Sequence, residues 1–258
     1  MQTIHEYQGF GLILREVTQV LNLFGAENQV LINETGFGDN KVRGLIEYLK
    51  DFNLASTKRE LTKLGEEIKK SDKRLVEDFS KWLCVYHWSA REHNPVLFYL
   101  VNCAGNAASK NGFQEAFKLW ASANDIQTNY KKRYVESLIS KTFNALTDTE
   151  AFEKLRLISI SNDRIERPEP YGVHPLLLAY ILYDNRRGRQ SITITELLEE
   201  AGNIGKFFGY SANSLDNRLN DLANLGLVKR VQVANLNMVE LPFNGSPLAL
   251  VEKYYAEN

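Results

Sequence analysis

The chain is poor in the features that announce a chemistry. It has two cysteines, Cys84 and Cys103, too few for a disulfide framework. A pair of thiols fits a reducing compartment, and the expected location is the cytoplasm. No apolar run approaches the roughly 20 residues that a bilayer span needs, so no membrane partner is expected. The opening "MQTIHEYQGF" carries an acidic residue where a signal peptide is basic and then apolar. A Gly-Lys-Ser/Thr phosphate loop, a dinucleotide fingerprint and a nucleophile elbow are all missing, which argues against ATP use or hydrolase chemistry by this chain alone. Charge of one sign is lacking too, with 31 Lys and Arg against 32 Asp and Glu for a net charge of -1. A balanced total leaves nucleic-acid binding open, because basic side chains can be sorted onto one face.

What is present is a globular composition, 44% hydrophobic over 258 residues. That is enough for a sizeable core, in two or so compact units or one divided domain. Two stretches read alike. "GFGDNKVRGLIEYLKDFNLAS", residues 36 to 56, and "GYSANSLDNRLNDLANLGLVK", residues 209 to 229, share Gly at the first position and Asn at the fifth. They also share apolar residues at the seventh, eleventh, fourteenth, seventeenth and nineteenth positions. In the first copy Val42, Leu45, Ile46 and Leu49 fall at i, i+3, i+4 and i+7, with "GDN" as a start signal and Asn53 as a stop.

The surroundings of each copy read as a winged helix-turn-helix. Upstream of the first lie helical spacing from Phe10 to Phe24 and a turn at "GAEN". Downstream, a short two-stranded tip carries Thr57, Lys58 and Arg59, and a helix is entered at Thr62. Around the second copy, "HPLLLAYILYD" is a first helix, and "SITITELLEEAG" is a strand leading into a helix that begins near Thr195. Ser211 or Asn213 caps the third helix and Gly226 ends it, after which "LVKRVQVANLNMVEL" alternates as a hairpin wing. The middle, from "KRLVEDFSKWLCVYHWSA" to "DRIERPEP", reads as helical with room for a degenerate third winged unit, and Pro168 and Pro170 close it. The expected fold class is therefore mainly α with small β wings. An N-terminal winged helix-turn-helix over 1–70 and a C-terminal one over 168–258 flank a helical middle domain over 71–167.

The candidate contacts with double-stranded DNA follow from that reading. Asn40, Lys41 and Arg43 face outward with Gly44 and Glu47 on the first copy, beside Lys58 and Arg59 at its tip. Asn213, Asn217 and Arg218 face outward with Ser214 and Asp221 on the second, beside Lys229 and Arg230 in its wing, while Leu215, Leu219 and Leu222 pack inward. Lys and Arg would hold phosphates and Asn would meet a base edge. The plain alternative is a solvated face on a winged helix that contacts only protein. Basic clusters at 69 to 74, 130 to 134 and 186 to 189 would add phosphate contacts or serve solubility. Cys84, His87, His93 and Cys103 carry zinc donors at poor spacing, and packing on an apolar helix is the simpler reading, so no metal site is assigned.

Three blocks carry a resemblance: "GFGDNKVRGLIEYLKDFNL", "WLCVYHW" with "FYLVN", and "LLLAYILYD" through "SPLALVEKYY". In that order the chain resembles a divergent member of the bacterial domain-of-unknown-function 4007 family, whose genes sit beside DNA phosphorothioation and phage-defence genes. None of the blocks is a catalytic signature. Members commonly open with Phe-Ser-Gly-His-Glu-Thr-Phe and an arginine, of which only His5, Glu6 and an aromatic Tyr7 are kept here. The resemblance implies a DNA-engaging subunit of a sulfur-modification or defence complex, with a sulfurtransferase-like enzyme and an ATPase as partners. It also implies a second possibility, a DNA-nicking subunit using His5 and Glu6 with Mg2+ or Mn2+; in the first role no cofactor is expected. A winged-helix transcriptional regulator is a third reading, one that leaves the helical middle without a task.

Overall fold

The computed structural model describes residues 7–105, 107–126, 132–233 and 236–257. It is mainly helical with two small three-stranded sheets, and the chain divides into a unit from Met1 to Pro168 and a second from Glu169 to Asn258. The first unit holds helices α1 (Leu14–Asn22), α2 (Asn28–Thr35), α3 (Asp39–Asp51), α4 (Lys63–Ser71), α5 (Asp78–Trp88) and α6 (Pro95–Asn102). Strand β1 (Ala107–Ser109), helices α7 (Lys110–Ala123) and α8 (Lys132–Thr147), and the hairpin of β2 (Ser159–Ser161) and β3 (Arg164–Glu166) follow. The second unit runs α9 (Pro175–Asn185), β4 (Ser191–Thr193), α10 (Ile194–Glu199), α11 (Ile204–Phe208), α12 (Ala212–Asn224), β5 (Lys229–Val233), β6 (Leu236–Glu240) and α13 (Pro247–Glu257).

The repeated stretches fold alike, and the reason is local. Gly36 and Gly209 both take the left-handed conformation, at φ 70° and 68°, closing α2 and α11 and turning the chain into the next helix. Helices α3 and α12 then each run 13 residues between equivalent positions. Both end on a left-handed residue, Asn53 at φ 57° and Gly226 at φ 69°. The same backbone bond follows in each: Leu54 N donates to Leu49 O, and Leu227 N donates to Leu222 O. These are the bonds that satisfy the last carbonyls of a helix before the chain leaves it. Ser211 is the cap of α12, its hydroxyl accepting from Ser214 N at 3.2 Å.

The cores follow from composition. Helix α9 is buried at every position from Leu176 to Tyr183, and α11, α12 and α13 pack around it. In the first unit, Phe52 at the end of α3 meets Trp88 of α5 and Phe152 edge-on at ring distances of 5.9 and 5.8 Å, a geometry that adds to the burial itself.

The two sheets share a connectivity. A strand precedes the helices, a hairpin follows them, and the last strand is central, giving orders β1-β3-β2 and β4-β6-β5 with antiparallel pairing throughout. In the first sheet Ala108 opposes Ile165, which opposes Ile160; in the second Ile192 opposes Val239, which opposes Arg230.

The N-terminal stretch differs from expectation at its tip. In place of two strands there is one bridge, Ala55 to Leu61. The Ser56 hydroxyl accepts from Lys58 N and Glu60 N, Arg59 sits at φ 63°, and Thr62 at once caps α4. Too few residues remain on either side of that turn to extend a ladder. The second unit also holds two helices more than expected: α11, because Gly202 at φ 81° breaks the run after α10 and the chain starts a helix anew, and α13 after the hairpin.

Candidate nucleic-acid interface

Helix α12 presents a sharply two-sided surface. Leu215, Leu219 and Leu222 are fully buried, while Asn213 and Asn217 are exposed on the opposite side and Arg218 is half-buried between. Strand β5 lies beside the helix and delivers Arg230, whose guanidinium pairs with Asp216 and donates to Asn220 Oδ1 at 2.8 Å. The hydrogen bond that Asp216 accepts from Arg230 holds its carboxyl below its ordinary value. Lys229, further out, pairs with Glu240 at 3.2 Å across the sheet. Arg218 lies over the Tyr210 ring at 6.0 Å and reaches Asp221 at 3.7 Å. Burial pushes the Tyr210 phenol up to about 12, against the pull of Arg218.

The start of α12 is closed by a carboxylate of its own unit. Glu169 accepts from Ser211 N at 2.6 Å and from the Ser214 hydroxyl. Partial burial works against its charge, but the serine hydrogen bonds and Arg218 outweigh it and keep the carboxyl below its usual range. The cations of this face are thus held by acids at rest, so binding to an outside phosphate is an exchange of partners.

Helix α3 occupies the equivalent place in the first unit, and its matching side is covered. Tyr7, Gln8 and Gly9 all lie at positive φ, 47°, 50° and 86°, and this turn packs on α3. The Tyr7 ring stacks on Tyr48 with centroids 3.8 Å apart. Its hydroxyl donates to Asp51 Oδ2 at 2.5 Å and accepts from Trp88 Nε1 at 2.8 Å, all four residues being buried. Burial, with the Asp51 charge next, pushes the Tyr7 and Tyr48 phenols above their ordinary value, so both stay protonated. Gly44 is therefore not outward, as the helical reading expects, but buried; a Cβ there would stand 2.4 Å from Tyr7 O.

The other N-terminal candidates are scattered in environment. Asn40 is exposed. Lys41 is drawn in, paired with Glu16 and lying over the Phe37 ring at 4.7 Å. Arg43 is exposed and paired with Asp39 at 2.9 Å. Lys58 is exposed, whereas Arg59 is tied to Asn28 Oδ1 of α2. In the basic clusters Lys70 pairs with Glu67 at 3.3 Å, and Arg189 with Glu196 and Glu200 at 3.0 and 3.4 Å. The side chains of 130 to 134 lie outside the described residues.

His5 and Glu6 also lie outside the described residues. Among the described residues, no three His, Cys, Asp or Glu side chains gather where a metal ion could be held. Of the zinc donors, Cys84 is buried and Cys103 exposed. Burial, reinforced by Asp72, pushes the Cys84 thiol up. Desolvation and the nearby His93 hold His87 down to about 3, which keeps it neutral, and His93 Nδ1 meets the His87 carbonyl at 2.9 Å.

The network under Tyr7 had no signal in the sequence, because its partners lie 44 and 81 residues away. Asn220 and Asn224, by contrast, continue the helical spacing of Asn213 and Asn217 and were readable from it.

The family model described as "Protein of unknown function (DUF4007)" matches residues 9–255, and the chain belongs to that family. Two solved structures share its fold. An SspB crystal structure superposes with a TM-score of 0.77 at 12% identity, over 99% of this chain and 89% of its own. A magnesium-ion-bound SspB crystal structure superposes with a TM-score of 0.77 at 13% identity, over 99% and 88%. No curated protein sequence matches.

Proposed function

We propose that this DUF4007 protein is the DNA-binding subunit of a bacterial DNA phosphorothioation or phage-defence complex. In this reading it engages duplex DNA through α12 and the β5–β6 hairpin and docks partner enzymes elsewhere on its surface. The observation that carries the reading is the connectivity of the second unit. A helix, a strand, further helices, α12 and then a hairpin whose last strand is central is the order of a winged helix, in which the helix before the hairpin enters the major groove. Arg230 beside the α12 face, with Lys229 next to it, supplies cations where such a wing meets phosphates.

The DUF4007 match and the likeness to the SspB fold are compatible with that wider setting, in which a sulfurtransferase-like enzyme and an ATPase would be the partners. With a cytoplasmic DNA duplex as its target, the chain has no need of catalytic groups of its own. The N-terminal helix α3 is assigned a structural task, since its corresponding side is filled by Tyr7.

The test is a gel shift of duplex DNA by the purified full chain, run beside supercoiled plasmid with and without magnesium or manganese. A shift without strand breaks supports the proposal. Open circles that appear only with metal would replace it by a nickase, and neither change would mean that the winged order serves protein contacts.

A further inference from the structure

Helix α12 carries four asparagines, Asn213, Asn217, Asn220 and Asn224, and all four are exposed. Their spacing of four, three and four residues puts them on one line along the helix, directly opposite the line of buried leucines. At a rise of 1.5 Å per residue the line is about 16 Å long, the height of roughly five base pairs.

Two features separate this line from an ordinary solvated face. Asparagine is among the poorer helix formers, because its amide competes for the backbone, and solvated helix faces are better served by Lys, Glu, Gln or Ala. The amides are also unspent: among the described residues, Asn213, Asn217 and Asn224 make no side-chain hydrogen bond, while Asn220 accepts from Arg230. An amide offers one acceptor and two donors on a short arm. That set matches the N7 acceptor and N6 donor of adenine in the major groove, whereas guanine presents two acceptors and is matched by Arg or Lys.

Helix α3 shows what happens to the same positions when they are not used in this way. There the counterparts of Asn217, Asn220 and Asn224 are Gly44, Glu47 and Asp51. Gly44 lies under Tyr7 and Asp51 is bonded to it. One copy of the repeat gave this face to packing, and the other kept it open and amide-rich.

We infer that α12 reads adenine bases, with Asn213, Asn217 and Asn224 as the amides that meet base edges and Asn220 held in place by Arg230. The inference rests on the DNA-binding reading above and adds its specificity: the preferred duplex carries adenines within a window of about five base pairs. Because the flanking cations are paired at rest, base contacts rather than phosphate attraction set the preference.

The experiment is selection of binding sites by the full chain from a random duplex library, followed by anisotropy titration of the selected site. The expected result is enrichment of adenine at two or more positions. Asn217→Ala should lower affinity for the selected site by about tenfold and relax one of those positions, so that the selected site loses most of its advantage over random duplex. Placing 7-deazaadenine at that position, which removes the N7 acceptor, should weaken the parent protein by about fivefold or more and leave Asn217→Ala indifferent. Recovery of duplexes without adenine enrichment, or indifference of the parent protein to 7-deazaadenine, overturns the inference while DNA binding stands. Retention of no duplex overturns both.

Discussion

The Tyr7 ring lies parallel to that of Tyr48, 3.8 Å away, across the side of α3 whose counterpart on α12 is open to solvent. That stack is the point at which two copies of one turn–helix–turn part in their packing. In α3 the helix face is consumed by packing. In α12 it remains available for a partner.

Removing the Tyr7 hydroxyl should test how much the cover is worth. Tyr7→Phe keeps the stack on Tyr48 but takes away the bond to Asp51 and the acceptor of Trp88 Nε1. Losing a buried polar partner costs about 1–3 kcal/mol. Urea unfolding followed by tryptophan fluorescence should show a loss in that range, and an unchanged midpoint would mean that the turn at Tyr7 to Gly9 does not hold α3.

Gly44→Ala gives a prediction of opposite sign to helix propensity. In an open helix the change stabilises by about 1 kcal/mol, but here the new Cβ would stand 2.4 Å from a backbone carbonyl. The cover must lift or α3 must shift, so the variant should melt several degrees lower than the parent. A higher melting temperature would show that the N-terminal turn is not seated on this helix.

These particulars also show what was legible in the sequence. The limits of α3 and α12 were, because Gly36, Gly209, Asn53 and Gly226 act through φ at their own positions and leave a mark at fixed spacing. The second hairpin was, because Val231, Met238 and their neighbours alternate. The cover over α3 was not: it depends on contacts 44 and 81 residues apart and on two non-glycine residues, Tyr7 and Gln8, in a left-handed turn that no local pattern announces. Strand β1 was equally silent, since "AAS" gains strand character only by pairing with β3. At the candidate site the residue types were readable, but their ion pairing was not, because Asp216 and Arg230 meet only once helix and strand are folded together.

Asp216 should act as a brake on DNA binding. It holds Arg230 at rest, and a phosphate must displace it. Asp216→Asn removes that competitor and one like charge near the duplex, so affinity for duplex DNA should rise severalfold, read by fluorescence anisotropy. A fall in affinity would show that the ion pair positions Arg230 for DNA instead of withholding it.

His87 supplies a pH dependence. Its imidazole is held down to about 3, from an ordinary value near 6.5, by desolvation and by His93. Between those values the unfolded chain binds a proton that the folded chain refuses. The stabilising effect of a neutral His87 is therefore complete above about pH 6.5 and is lost as pH falls, by up to about 1.4 kcal/mol per pH unit. His87→Gln should flatten that part of the stability profile between pH 6 and 4, and an unaltered slope would assign the acid sensitivity elsewhere.

The measurement that bears most directly on the account is the salt dependence of duplex binding by the full chain, compared between the parent, Lys229→Gln/Arg230→Gln and Lys41→Gln/Arg43→Gln. If α12 and its hairpin engage DNA while α3 is structural, the first pair should weaken binding and lower the slope of log affinity against log salt by about 1 to 2, as lost phosphate contacts require. The second pair should leave both unchanged. The reverse pattern, or equal effects of the two pairs, would contradict the account.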